Sequence, residues 1–372
     1  MIKIPIAALQ RARTLLSRAS FAKCNLPAPS HVLARTDGPD LVLAVSAPDL
    51  WLETRIRLPA PPTGPAGFLI PAGALAAAAR ADRGSTVLLQ PTGRRGHREL
   101  EIVTVSGGMR TGAMHATADR EDFPARPAAG GPATVLPAAT MAALQAVAPC
   151  ASTDGTRQVL NGVLFTPGGG GMLITTDGRR LAGAPAAVPG RELILPNQAA
   201  RVLGHPDFLG GDVALTLSAD EEERLVEFQA GDHVLICRTV EGRYPDYRQV
   251  VPREQPHAVT IPEDQRAAIC KWLRSQNGRA GSVRLSIGKP GHLTLTQADG
   301  GGTTVALITV PVQIQGTPPA ISFDPKYLAD AIGIGGILGL SDGQDPGMAR
   351  TPDGRFCVVM PMRTTAGART AA

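Results

Sequence analysis

Two hydrophobic periods alternate along this chain. Apolar residues recur at helical spacing in IPIAALQRARTLLSRA (4–19), LPAATMAALQAVAPC (136–150) and IPEDQRAAICKWLRS (261–275), each opened by a proline after Ile or Leu: Pro5, Pro137 and Pro262. A second series follows about 60 residues later in each case, at Pro71 in FLIPAGALAAAARA, Pro196 in LILPNQAARVLG and Pro325 in ISFDPKYLADAIG. Proline is tolerated in the first turn of a helix, where its missing N–H has no intrahelical partner. Period-two segments such as LVLAVSA, GVLFTP and VRLSIGK predict half-buried strands. Strand–turn–strand stretches follow the second helix at 85–105 and 212–240 but precede it at 282–310, so the copies match in broad plan and not residue for residue. Both proline series repeat at roughly 130 residues, which predicts three copies of one α+β unit and an object built by rotation, an arc or a ring.

The Pro-rich closures EDFPARPAAGGPATVLP and GRYPDYRQVVPREQPHAVTIP separate the units. The expected domains are 1–128, 129–253 and 254–364, with 365–372 as a frayed tail. A chain of 372 residues has room for such a division. The net charge of +5 is compatible with nucleic acid as a partner without demanding it. Cys24, Cys150, Cys237, Cys270 and Cys357 form no CxxC pair, so the reading is a reducing cytoplasm with neither disulfides nor a metal site. No apolar run is long enough to span a bilayer. The basic, amphipathic N-terminus is read as the first copy of the repeated helix, not as a targeting peptide.

Four motifs stand out, each beside a plainer reading. LNGVLF (160–165) and TTDGRRLA (175–182) predict strands with a turn at Asp177-Gly178, where Gly178 allows positive φ. Arg180 next to Leu181 then offers a cation beside an apolar patch, either a peptide-recognition edge or an ordinary hairpin. GRYPDY (242–247) gathers Tyr244 and Tyr247 in a chain only 3% aromatic, as an interface or a packing corner. VVMPMR (358–363) is a strand with two adaptable methionines, or plain core. The run Gly168–Gly171 leads into a strand, which favours a hairpin loop over a phosphate cradle. No Ser/His/Asp order or HExxH spacing is present, and Glu221-Glu222-Glu223 reads as a solvated acidic turn.

Taken together and in order, TTDGRRLA, LNGVLF, GRYPDYRQVVP and VVMPMR resemble the bacterial DNA polymerase III beta subunit, the sliding clamp family, over nearly the whole chain. The Asp122-Phe123-Pro124 closure belongs to the same pattern. The resemblance implies an α+β fold of three tandem clamp domains, each with two helices and antiparallel sheets. The resemblance further implies that two such crescents pair head to tail as a homodimer, a ring around double-stranded DNA without sequence specificity. It implies a non-catalytic, cytoplasmic processivity factor with no cofactor, which binds the replicative polymerase, clamp loader and repair proteins through linear peptide motifs. Carried over by position, the peptide cleft comprises Leu160, Thr176, Gly178, Arg179, Arg180, Leu181, Pro245, Val250, Tyr327, Pro346, Val358, Val359, Met360, Pro361, Met362 and Arg363.

The cations assigned to DNA are Arg11, Arg13, Arg18, Lys23, Arg157, Arg201, Arg266, Lys271, Arg274 and Lys326, and the dimer interface is assigned to Trp272 and Leu273. The chain departs from the family in places. Arg179 stands where His is frequent, Gln249 where Arg is common and Thr364 where Leu is frequent. The stretch around Asn25-Leu26-Pro27 is diverged, and Asp299 is nearly alone where an acidic cluster is common. Two alternatives follow: a diverged accessory or mobile-element clamp paralogue with weak ring closure, or a phosphate-binding or nucleotidyl-transfer enzyme using Gly168–Gly171.

Overall fold

The computed structural model describes residues 1–19, 30–62, 67–92, 99–220, 222–276, 281–298 and 303–362. Lys23, Cys24, Asn25-Leu26-Pro27, Glu221, Asp299, Arg363, Thr364 and the tail 365–372 lie outside the described residues. The architecture is α+β, and the described strand pairs are antiparallel. The chain forms two compact units, Met1–Ala142 with Leu195–Thr239, and Ala143–Ile194 with Val240–Ala372.

The proline-opened segments are helices: α1 (Ile6–Leu16), α2 (Ala72–Ala78), α3 (Ala138–Val147), α4 (Asn197–Leu203), α6 (Glu263–Gln276) and α7 (Pro325–Ile334), with a short α5 (Pro206–Leu209) after α4. Only Pro325 lies within the first turn, behind Asp324, whose Oδ1 accepts the Lys326 and Tyr327 amides at 2.9 and 3.1 Å. Pro5, Pro71 and Pro196 lie one residue earlier than expected, as the last residue of a strand and the cap of the helix. Their φ of −60°, −55° and −56° suits both states, while ψ stays extended. Strand therefore passes into helix without a loop.

In the first unit an eight-stranded sheet runs in the order Gly67–Pro71, His31–Asp37, Asp40–Ala47, Leu50–Arg57, His233–Arg238, Leu225–Ala230, Val213–Leu217, Ala133–Leu136. LVLAVSA is buried on both faces, not one. The helix α1 packs against Asp40–Ala47 and Leu50–Arg57, while Ala44 belongs to a core cluster with Leu33, Trp51, Leu69, Phe123 and Ile236. The Phe123 ring meets Trp51 edge-on at 5.6 Å, so the DFP closure is tied down by its aromatic side chain. Glu53 accepts the Trp51 indole N–H at 3.0 Å, and Arg126 bridges Glu53 and Glu227 at 3.2 and 2.9 Å. A four-stranded sheet of the same unit, Ile2–Pro5, Thr86–Pro91, Glu99–Ser106, Met109–Ala116, ends on an edge strand that is almost wholly exposed.

The second unit holds the strands Gly162–Thr166, Met172–Thr176, Arg180–Pro185, Phe356–Val359, Gly347–Arg350, Ile337–Leu340, His257–Thr260 and Gln313–Gln315, paired in that order in one sheet. GVLFT is buried at every position, again more than half-buried alternation predicts. A four-stranded sheet, Thr304–Pro311, His292–Ala298, Val283–Lys289, Ile321–Phe323, has Thr304–Pro311 as an edge, and α6 packs on α7. Gly168–Gly171 forms the turn between two paired strands, with positive φ at Gly169, Gly170 and Gly171. It does not open a helix, as the hairpin reading expected.

Phe123→Ala is expected to destabilise the protein by about 3–5 kcal/mol by opening a cavity against Trp51. The check is the urea midpoint of the unfolding transition of the first unit; an unchanged midpoint removes the anchoring role of the closure.

Candidate functional site

The TTDGRR turn is wired before anything packs on it. Asp177 Oδ1 accepts the Arg179 and Arg180 amides at 2.9 and 3.1 Å. Thr176 Oγ1 donates to the Arg180 carbonyl at 2.6 Å and accepts the Gly178 amide at 3.0 Å. Gly178 has φ of +85°, a conformation that side chains resist, and a β-carbon there would stand 3.0 Å from Arg157 Nη1. This turn joins Met172–Thr176 to Arg180–Pro185, which pairs in turn with Phe356–Val359.

The sequence reading of Arg180 as a cation at an edge is corrected here. Its guanidinium is buried, and each of its three nitrogens donates a hydrogen bond. Nε donates to Asp177 Oδ2 at 3.0 Å, Nη1 to Asp330 Oδ2, and Nη2 to the Pro149 carbonyl at 2.8 Å. The Tyr327 ring lies 4.6 Å from its carbon centre. A charge taken out of water is tolerated only with such compensation. Arg180 therefore braces the second unit, linking the turn to α7.

Beside this brace opens an apolar cavity of about 250 Å³. Its floor is Leu160, Leu181 and Val358, members of a buried cluster with Leu164, Ile174, Ile194 and Tyr244. Pro245, Tyr247, Val250 and Met360 form the rest of the apolar wall, and Val250 and Met360 are exposed at 49% and 43%. Thr176, Gly178, Arg179, Arg180, Arg157 and Asp246 complete the lining. Met360 is held by its amide, which donates to the Arg179 carbonyl at 2.9 Å. Burial pushes the pKa of the Tyr244 hydroxyl up, so it stays neutral beneath the pocket.

Ten of the residues assigned to the cleft thus surround one cavity: Leu160, Thr176, Gly178, Arg179, Arg180, Leu181, Pro245, Val250, Val358 and Met360. Others stand elsewhere. Tyr327 lies against Arg180, Val359 is buried in register between Arg180 and Gly347, and Pro346, Pro361 and Met362 are not part of the lining. The Met362 amide donates to the Ser322 carbonyl at 2.7 Å, and its side chain is exposed. Three lining residues were not assigned to the cleft from sequence: Asp246 and Tyr247, within the GRYPDY motif, and Arg157, which was assigned to DNA.

Arg201 is exposed on α4. Arg11, Arg13, Lys271, Arg274 and Lys326 are exposed on α1, α6 and α7. Arg18 donates to the Arg201 carbonyl at 2.6 Å, bringing the ends of α1 and α4 together. Arg266 is a different case: it donates to the Ile332 and Gly333 carbonyls at 3.0 and 2.9 Å and closes the C-terminal end of α7. Leu273, assigned to an interface, is fully buried in the second unit, since it shares the inward stripe of α6 with Ile269 and Cys270. Trp272 is half-buried. Exposed apolar residues stand instead on the two sheet edges, Met109 and Met114 on one and Val305 and Leu307 on the other, at 72%, 52%, 50% and 60%.

No group of acidic, histidine or cysteine residues suited to a metal ion occurs among the described residues. No helix there is long and apolar enough to cross a membrane. Cys357 has its thiol pKa raised by a hydrogen bond with Cys150 and by burial, so it is a poor nucleophile.

No protein-family model matches the chain. It is similar to curated proteins named Beta sliding clamp: 28% identical over 338 residues to that of Synechococcus elongatus, with 87% of each chain covered, and 28% over 344 residues to that of Synechocystis sp., with 86% of each covered. Among solved structures, the DNA polymerase sliding clamp of Caulobacter crescentus superposes with a TM-score of 0.76 at 25% identity, over 98% of this chain and 100% of that one. The DNA polymerase III beta subunit of Thermotoga maritima gives 0.79 at 18% identity, over 98% and 99%, a likeness of fold.

Arg180→Met, which strands Asp177 and Asp330, is expected to cost about 3–5 kcal/mol. Asp330→Asn removes one charge with little change of shape and is expected to cost less. Guanidinium denaturation of both variants checks the order; equal stability of wild type and Arg180→Met removes the brace.

Proposed function

We propose that this chain, a homologue of the bacterial beta sliding clamps, is a non-catalytic processivity factor that surrounds duplex DNA as a head-to-tail homodimer and holds its partners through the cavity of the second unit. The observation that carries the reading is that cavity. Four motifs scattered over 200 residues of sequence converge on one apolar, open pocket, and no nucleophile–base pair or metal cluster accompanies it among the described residues. An extended peptide would place a few apolar side chains on Leu160, Leu181, Val358 and Met360, with most of the affinity in those anchors.

The ring reading is supported by the two exposed sheet edges. Met109–Ala116 and Thr304–Pro311 each present unpaired backbone groups and exposed apolar side chains, the usual conditions for pairing with another chain. Pairing the first edge of one protomer with the second edge of its twin repeats at both seams and closes a two-fold object. The three domains at 1–128, 129–253 and 254–364 belong to this proposal, with the exposed cations of α1, α4, α6 and α7 toward phosphates. Action in the cytoplasm belongs to it as well. The enzyme alternative has less support, since Gly168–Gly171 joins two strands and Asp177 is fully engaged by the turn and by Arg180.

Three outcomes are expected. Protein loaded onto nicked circular DNA by a clamp loader is retained on gel filtration and lost when the circle is linearised; equal retention on both defeats the topological reading. Met360→Ala weakens a clamp-binding peptide by about 1–3 kcal/mol in a titration, and an unchanged affinity removes the cleft assignment. Leu307→Lys combined with Met114→Lys shifts the protein from dimer to monomer in sedimentation without lowering its melting temperature, whereas an intact dimer excludes these edges as the seam.

A further inference from the structure

Two of the buried cysteines meet inside the second unit. Cys150 ends the single turn Ala148–Cys150, and Cys357 lies on the strand Phe356–Val359, in register with Ala182 on one side and Ala349 on the other. Far apart in sequence, their thiols nonetheless share a hydrogen bond. Both are free and wholly buried. The Val358 carbonyl, 3.9 Å from Cys357 Sγ, is a distant second acceptor. The other two buried cysteines are placed differently. Cys237 belongs to the first unit, and Cys270 Sγ donates to the Ala329 carbonyl at 3.3 Å.

The surroundings suit sulfur chemistry. Pro149, the residue before Cys150, accepts Arg180 Nη2 at 2.8 Å, and the guanidinium stands within electrostatic range of both sulfurs. A neighbouring cation favours the thiolate, the reactive form of cysteine. The hydrogen bond with Cys150, and then burial, hold the Cys357 proton in place, so the first attack falls to Cys150. Beyond Cys150 the chain runs into residues 153–158, which are exposed. Local opening of that segment gives an oxidant the size of water a route to the pair, and it makes the reaction slow.

We propose that Cys150 and Cys357 form a redox modification site, at which hydrogen peroxide makes a reversible disulfide between the turn Ala148–Cys150 and the strand Phe356–Val359. The Cys150 sulfur attacks one peroxide oxygen, the O–O bond breaks, and the leaving hydroxide takes the thiol proton as water. Cys150 is then a sulfenic acid, oxidised by two electrons, and the peroxide is reduced. The Cys357 sulfur attacks the Cys150 sulfur, the S–O bond breaks, and the Cys357 proton leaves with the hydroxide as a second water. A dithiol reverses the bond by thiol–disulfide exchange. Both joined elements already pack on the strand Arg180–Pro185. The disulfide therefore ties covalently what Arg180 ties by charge. It also closes a long loop of the unfolded chain, the case in which a cross-link stabilises most.

In the test, the folded full-length protein is treated with hydrogen peroxide and its remaining thiols are alkylated in denaturant. The non-reduced tryptic digest is then read by mass spectrometry. The expected product is a cross-linked peptide pair holding Cys150 and Cys357, lighter by the two thiol hydrogens and lost on reduction with dithiothreitol. The oxidised protein should melt about 5–10 °C above the reduced one, a rise that Cys150→Ser and Cys357→Ser both lack. Should either variant fail to fold, the digest and the melting shift of the wild type decide the matter. Full alkylation of Cys150 and Cys357 after treatment overturns the proposal, as does their conversion to sulfinic acids without a cross-link. A disulfide through Cys24 in place of this pair overturns it too. A Cys150–Cys357 bond that leaves the melting temperature unchanged overturns the stapling.

Discussion

A buried positive charge organises the second unit. Arg180 is separated from Asp330 by 150 positions in sequence, yet the two meet beneath the pocket, and Asp177 and the Pro149 carbonyl complete the set. Burying a guanidinium costs several kcal/mol unless it is ion-paired and hydrogen-bonded. The strand Arg180–Pro185, the turn before it and the helix α7 are therefore constrained to one mutual arrangement. Tyr327 closes the remaining face of the guanidinium, and Asp330 also lies 3.6 Å from Arg274 on α6. The wall formed by Leu181 and Val358 inherits its position from that arrangement.

The first unit relies on a different device. Its closure is held by an aromatic contact, Phe123 on Trp51, and by an arginine that spans two glutamates, Arg126 between Glu53 and Glu227. The apolar contact supplies most of the energy. The ion triad is partly exposed and adds less.

Much of this was legible in the chain because it rests on short-range rules. The prolines ahead of the helices, the turn at Asp177-Gly178 and the strand character of 162–166 and 283–289 follow from local geometry. What escaped depends on partners distant in sequence. Nothing near Arg180 announces Asp330, so a buried brace reads as a surface cation. Arg157 resembles any exposed arginine until the chain folds it over Gly178. Leu273 was recoverable: Ile269, Cys270 and Leu273 follow helical spacing, and its neighbour Trp272 falls about 100° away around the axis. The Met109–Ala116 edge gave no warning, because MRTGAMHA lacks alternation and its exposure comes from being last in its sheet.

The form of those edges has a mechanical consequence. A seam made of two hydrogen-bonded strands resists forces in proportion to how many bonds must break at once. Pulled along the strands, all its bonds share the load and fail together. Pulled across them, they yield one after another, as a zipper does. A ring closed in this way would withstand the drag of a translocating polymerase, yet part under a small outward lever applied at one end of the seam.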